Sequence, residues 1–305
     1  MTSTDSTGDE LRIVTDGNRY VPSDDLELAV RVARAIGRPL LLYGEPGSGK
    51  STLAAYVAVT HGLRYYEHVT TARTEPQDFL WTFDHVRRLS DAQVGPLDGH
   101  DRRYVTPGPL WWAFQREVAL AETGRVEPFR EWNEPKADQP AVVLIDEIDK
   151  ADPDTPNGLL GPLADRRFKV TDLDGEPQVA EQPFGANLII ITSNEERDLP
   201  EAFVRRCVVS HLPLHDDEAL LDIVDRHLGD RRHELSDELL RHLLDELAAE
   251  RRKAGHGGRR LASTAEFLDA VNACVRLEIG DVTGPQLRRV IGMTLAKAHD
   301  TRFGR

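Results

Sequence analysis

Cysteine is almost missing from this chain, which carries 2 in 305 residues. Cys207 and Cys274 both lie within apolar patterns, so they read as buried free thiols and exclude a disulfide framework, a redox pair or a zinc site. Long apolar runs are missing too. No stretch approaches the ~20 residues a helix needs to cross a bilayer. The first ten residues are polar and acidic where a signal peptide would be basic and then apolar. That pattern predicts a cytoplasmic protein without a membrane partner. Basic residues are in deficit: 38 Lys and Arg face 52 Asp and Glu, for a net charge of −14. A broad non-specific nucleic-acid footprint needs a basic face, so nucleic acid is not the expected partner. The short clusters Arg251-Arg252-Lys253 and Arg259-Arg260 read as solvated helix ends beside a glycine loop.

What is present is a globular composition, 40% hydrophobic and 30% charged, with length enough for two domains. The organising stretch is Gly44-Glu45-Pro46-Gly47-Ser48-Gly49-Lys50-Ser51, behind apolar Leu40-Leu41-Leu42-Tyr43 and ahead of an alanine-rich segment that starts at Thr52. A glycine loop between a strand and a helix in this spacing is the P-loop pattern. Glycines stand where backbone amides must approach phosphate oxygens with no Cβ in the way. The amides and the helix N-terminus cradle phosphates, Lys50 reaches the outer ones, and the Ser51 hydroxyl is placed to ligate Mg²⁺. Residues 44–52 are therefore the candidate nucleotide contacts. A turn that merely joins strand to helix is the alternative, and the flanking elements weigh against it. A second motif points further. The buried-strand run Ala141-Val142-Val143-Leu144-Ile145 ends in Asp146-Glu147-Ile148-Asp149. A carboxylate at the carboxyl end of a parallel strand sits where open α/β sheets bind ligands. Asp146 is the candidate metal carboxylate and Glu147 the group that polarises an attacking water, so hydrolysis is expected rather than binding alone.

Residues 1–18, rich in Ser, Thr, Asp and Gly, are expected to form a flexible tail. Residues 19–214 read as the α/β nucleotide-binding domain and 215–305 as an all-helical subdomain. In the first, a helix capped by Ser23 and stopped at Gly37 leads into the P-loop strand. Further strands are expected at 64–70, 142–146, 187–193 and 207–212, which makes a five-stranded parallel sheet. The long connection 71–140 reads as inserted function. Within it, Pro107-Gly108-Pro109 opens a helix running to Ala121, whose Trp111, Trp112 and Phe114 are read as core, with contact to a partner as the alternative. Residues 123–140 read as loop, and Gly161-Pro162 should kink the helix that follows the acidic strand end. Four C-terminal helices are signalled, over 216–229, after Ser236, after the Ser263/Glu266 capping box and from Pro285.

The strand over 188–193 ends in Asn194, whose amide can either orient a lytic water or form a turn. Further on, Arg205-Arg206 precede the last strand; guanidinium pairs suit phosphate oxygens, and surface ion pairing is the alternative. As an ordered set these motifs resemble the AAA+ ATPases, and within them the MoxR group. The resemblance rests on 44–51 as Walker A, 142–149 as Walker B, Thr192-Ser193-Asn194 as first sensor and 199–207 as arginine-finger segment, and it covers nearly the whole chain from about residue 20. It implies an α/β P-loop core with a helical lid that hydrolyses ATP with Mg²⁺. Ser51 and Asp146 then serve the metal, Glu147 and Asn194 the water, and Arg205 or Arg206 the site of a neighbouring subunit. It also implies a homo-oligomeric ring, usually hexameric, acting as a chaperone on a protein client, often with a von Willebrand type A domain protein. A hairpin with an Asp174-Gly175 turn is expected within 168–187. The alternatives are a nucleic-acid motor or loader, disfavoured by the acidic hairpin, and a slow-turnover nucleotide-regulated scaffold. One departure stands out: residues 261–266 lack the arginine of a second sensor, and Arg259 or Arg260 just upstream is the substitute.

Overall fold

The apolar runs become strands in the structure, a computed structural model that describes residues 6–95, 101–255 and 260–296. In chain order these are β1 Leu40–Gly44, β2 Arg64–Val69, β3 Trp81–Phe83, β4 Val105–Pro107, β5 Ala141–Asp146, β6 Arg167–Lys169, β7 Gln178–Ala180, β8 Leu188–Ser193 and β9 Val208–Leu212. Five of them build the expected parallel sheet, in the order β2-β5-β8-β1-β9. Arg64 pairs with Ala141, Val142 with Leu188 and Leu40 with Ile190. β5 and β8 are buried along nearly their whole length, which is why they read as unbroken apolar runs rather than as alternation.

Two compact units divide the chain. Met1–Asn18, Pro22–Tyr43 and Lys50–His211 form one; Arg19–Val21, Gly44–Gly49 and Leu212–Arg305 form the other. Helix α1 spans Ser6–Arg19, all but its last residue in the first unit, which also holds α2 Asp24–Ile36 and α3 Lys50–His61. The Ser23 hydroxyl accepts the Leu26 N–H at 3.3 Å and caps α2, and Gly37 closes it at φ 66°. Over residues 6–18 the expected flexible tail is helix α1 instead, and residues 1–5 lie outside the described residues. Ile13 is 1% exposed, Arg12 pairs with Glu67 at 2.6 Å, and Gly17 admits Val59 and Ala55 so closely that a Cβ would lie 2.6 Å from Val59. Polar composition hid a helix that needs only a few apolar contacts and one glycine to dock.

The insertion holds the antiparallel β3–β4 ribbon, which composition did not signal. The helix expected to run to Ala121 is two helices, Pro109–Phe114 and Arg116–Thr123, broken at Gln115 with φ −145°. Trp111, Trp112 and Phe114 are core, with Trp111 edge-on to Phe168. The loop expected over 123–140 contains a short helix, Arg130–Asn133, and a 3-10 turn, Glu134–Lys136. Its purpose is the open edge of β2: the buried Asn133 amide accepts the Tyr65 N–H at 2.8 Å and donates to the Tyr65 carbonyl at 3.0 Å. Pro162 interrupts its helix as expected. Having no N–H for the Gly158 carbonyl, it leaves separate turns Thr155–Gly158 and Leu160–Asp165. The hairpin is present as β6 and β7, with Phe168 opposite Val179 and Gly175 at φ 79° in its turn. A buried ion pair, Arg166 with Glu181 at 3.5 Å, closes its base.

The second unit packs helices Asp217–Leu228, Asp237–Gly255, Thr264–Arg276 and Pro285–Thr294 around Leu239, Leu243, Phe267, Val271 and Leu287. The capping box forms: Ser263 Oγ accepts the Glu266 N–H at 3.3 Å and Glu266 Oε2 accepts the Ser263 N–H at 2.8 Å. Among the described residues no helix is long and apolar enough to cross a membrane.

Candidate nucleotide site

Parallel pairing of β5 with β8 aligns their carboxyl ends, so Asp146 and Glu147 come beside Thr192, Ser193 and Asn194. Ser51, in the first turn of α3, donates from Oγ to Asp146 Oδ1 at 2.7 Å. Thr192 Oγ1 donates to the same oxygen at 2.6 Å. Both hydroxyls converge on one oxygen of Asp146, an arrangement that suits a carboxylate serving a metal through its water shell.

Glu147 adopts φ 57° and ψ 48°, in the left-handed region that non-glycine residues rarely enter. Its N–H donates to Thr192 Oγ1 at 2.9 Å. Its carboxylate accepts the Asn194 amide on Oε1 at 3.1 Å and the Lys150 ammonium on Oε2 at 2.5 Å. The hydrogen bond to Glu147 holds the Lys150 ammonium above its ordinary pKa. Buried Asp149 uses Oδ2 to accept the N–H groups of Asn194 at 3.1 Å and Glu196 at 3.0 Å, which sets the course of the chain after β8. Sequence reading singled out Ser51, Asp146, Glu147 and Asn194, and the structure brings these four together. It missed the roles of Thr192, Lys150 and Asp149, whose signal exists only once β5 and β8 are known to be neighbours.

Arg205 and Arg206 are elsewhere. They follow the short helix Glu201–Val204 and precede β9, at the amino edge of the sheet. Arg205 pairs with Glu201, both largely exposed, and Arg206 donates to the Ala202 carbonyl at 2.8 Å. A five-residue strand advances roughly 16 Å, so these guanidiniums stand across the sheet from the carboxyl edge that carries Asp146.

The glycine loop belongs to the second unit. Gly47 has φ 77°, and a Cβ there would lie 2.8 Å from Ser263 Oγ; Gly49 has φ 95°, with the Tyr20 ring 3.2 Å from where its Cβ would be. The Gly47 carbonyl accepts the Ala265 N–H at 3.2 Å. Among the described residues, the buried Ser48 Oγ has no hydrogen-bond partner. Arg260, one of the two arginines expected as candidates for the second sensor, donates to the Pro46 carbonyl at 3.4 Å, whereas Arg259 lies outside the described residues. A backbone that only glycine tolerates and an orphaned buried hydroxyl fit a phosphate cradle, and the Ser51/Asp146 pair fits Mg²⁺.

A sequence-family model for the AAA domain, dynein-related subfamily, matches residues 39–207, more than half of the chain. This chain belongs to the AAA domain family. The AAA protein also has a 45% identical stretch of 76 residues in common with Holliday junction branch migration complex subunit RuvB 2 of Synechococcus sp. (strain JA-3-3Ab). That stretch spans 24% of this chain and 20% of the relative's length. Similar solved structures include a putative ATPase from Cytophaga hutchinsonii, at 14% identity and TM-score 0.42 over 95% of this chain and 87% of that one. The RuvB branch migration motor of Thermotoga maritima matches at 14% identity and TM-score 0.45 over 88% and 67%. Domain III of Thermotoga maritima DnaA matches at 16% and 0.45 over 92% and 96%.

Proposed function

We propose that this AAA domain protein binds ATP with Mg²⁺ and hydrolyses it, and that turnover in a MoxR-type homo-oligomeric ring, hexameric in this reading, remodels or activates a protein client. A von Willebrand type A domain protein is the candidate partner. The observation that carries hydrolysis is the convergence of Ser51, Asp146, Glu147 and Asn194 at one sheet edge. The amides of 47–51 and the Lys50 ammonium hold the phosphates. Ser51 and Asp146 would hold Mg²⁺, which when bound neutralises charge on the phosphate oxygens. Glu147 accepts the proton of the attacking water, and the Asn194 amide fixes the plane of its carboxylate. Arg205 or Arg206, standing at the amino edge of its own sheet, serves a neighbour's nucleotide instead of its own.

Two variants test the chemistry. Lys50→Ala should lose ATP binding, because the phosphate charge is left uncompensated. Glu147→Gln should bind ATP with Mg²⁺ normally while hydrolysis falls by ~10²-fold or more. Equal ATP affinity of both variants and the parent in calorimetry would remove the phosphate assignment of residues 44–51.

A second reading, a nucleic-acid motor, is favoured by the stretch similar to a branch migration subunit. Against it, the hairpin turn carries Asp172, Asp174 and Glu176, a poor surface for phosphate backbones.

A further inference from the structure

Thr192 is fully buried in β8, behind the apolar run Ile189, Ile190 and Ile191. A hydroxyl at such a position loses its water and is retained at a cost unless protein groups use it, and valine would fill the same space in a strand equally well. Here the hydroxyl is used twice. It donates its single proton to Asp146 Oδ1 at 2.6 Å and accepts the Glu147 N–H at 2.9 Å.

We infer that Thr192 is a positioning residue that couples the metal-side carboxylate to the water-side carboxylate, through one hydroxyl shared by Asp146 and the backbone of Glu147. The inference rests on the reading of this edge as a Mg²⁺–nucleotide site. The donated hydrogen bond joins the one from Ser51 at 2.7 Å on the same oxygen, and together they fix the orientation of the Asp146 carboxylate. The accepted one holds the Glu147 peptide at φ 57°, and from there the side chain reaches the Asn194 amide. β8 and the residue that follows it therefore grip Glu147 at two points: Thr192 at the backbone and Asn194 at the carboxylate. With 0% exposure, Thr192 itself touches no nucleotide.

The test compares the full-length wild type with Thr192→Val, Thr192→Ser and Thr192→Ala, reading both turnover and the Mg²⁺ concentration needed for binding of a fluorescent ATP analogue. For Thr192→Val, kcat should fall ~10- to 100-fold and the Mg²⁺ requirement rise about tenfold or more, the usual penalty for losing a group that orients a metal-side carboxylate. KM for ATP at saturating Mg²⁺ should stay near wild type, and Thr192→Ser should recover both readouts. Should Thr192→Val not fold, Thr192→Ala against Thr192→Ser gives the same contrast. If the wild type is active and Thr192→Val matches it in kcat and Mg²⁺ requirement, or if Thr192→Ser is as impaired as Thr192→Val, the assignment is wrong. Absence of Mg²⁺-dependent ATP binding in the wild type would instead overturn the nucleotide reading on which it rests.

Discussion

Glu147 shows what a single residue needs at this edge: a left-handed backbone that costs ~1–3 kcal/mol, and donors on its carboxylate from an amide and an ammonium. Its identity and spacing after an apolar run were legible because the proposed hydrolysis calls for a carboxylate at that strand end. Its contacts with Lys150 and Thr192 were not, since Lys150 reads as an ordinary lysine and nothing in the first-sensor stretch says that the Thr192 hydroxyl meets the Glu147 N–H. Cys207 is legible in the same way as Glu147. An apolar neighbourhood predicted a buried thiol, and burial pushes it up to about 12. A raised thiol pKa means that the reactive thiolate is scarce at pH 8 and forms only as the pH climbs toward that value. Alkylation of Cys207 at pH 8 should therefore be slow in the native protein and fast in denaturant, read by mass spectrometry of the peptide. Fast native labelling at pH 8 would contradict the packing around it.

Elements with strong local signals formed as expected: the apolar strands, the Ser23 and Ser263 caps, the Pro162 interruption and the hairpin turn. Those that depend on distant contacts did not announce themselves. Helix α1 docks through Ile13 and the bare backbone of Gly17, and the helix Arg130–Asn133 exists to present one asparagine to the edge of β2. The hairpin base depends on the Arg166–Glu181 pair, with both side chains at most 1% exposed. Arg166 also donates to the Gly37 carbonyl at 2.8 Å, while Glu181 accepts the Asn187 N–H at 2.6 Å. Removing one charge of such a pair strands the other, so Arg166→Leu should lower the unfolding free energy by about 3–5 kcal/mol in urea denaturation. A change below about 1 kcal/mol would mean that the pair is as weak as a surface one.

For the whole molecule, Arg205 and Arg206 stand at the amino edge of the sheet, away from Asp146 of their own chain, so in the proposed function they act on a neighbouring copy. A trans arginine is worth ~10³ to 10⁵ in rate in well-studied nucleotide hydrolases, so the Arg205→Ala/Arg206→Ala double variant should be nearly silent yet bind ATP. Mixing it with Lys50→Ala, which keeps its arginines, should restore activity that rises with protein concentration. A wild-type rate per chain that stays constant down to a demonstrably monomeric state would rule the trans role out. The net charge of −14 belongs to this scale too. DNA, single- or double-stranded, should not bind tightly at physiological salt with or without ATP. Submicromolar binding in fluorescence polarisation would promote the motor reading.

What the sequence by itself determined was every feature whose physics is local. The phosphate loop needs glycines at given positions, a buried parallel strand needs an unbroken apolar run, and a helix start needs its cap; each is written in a few adjacent residues. What only the tertiary structure decided was adjacency. β5 and β8 are neighbours although the hairpin segment separates them in the chain, and only that pairing gives one threonine hydroxyl to both Asp146 and Glu147. Likewise, Arg206 and Asp146 each border a strand, but strand direction alone puts them at opposite edges. Such relations depend on the order and direction of strands in the sheet, which long-range packing selects and no short stretch of residues encodes.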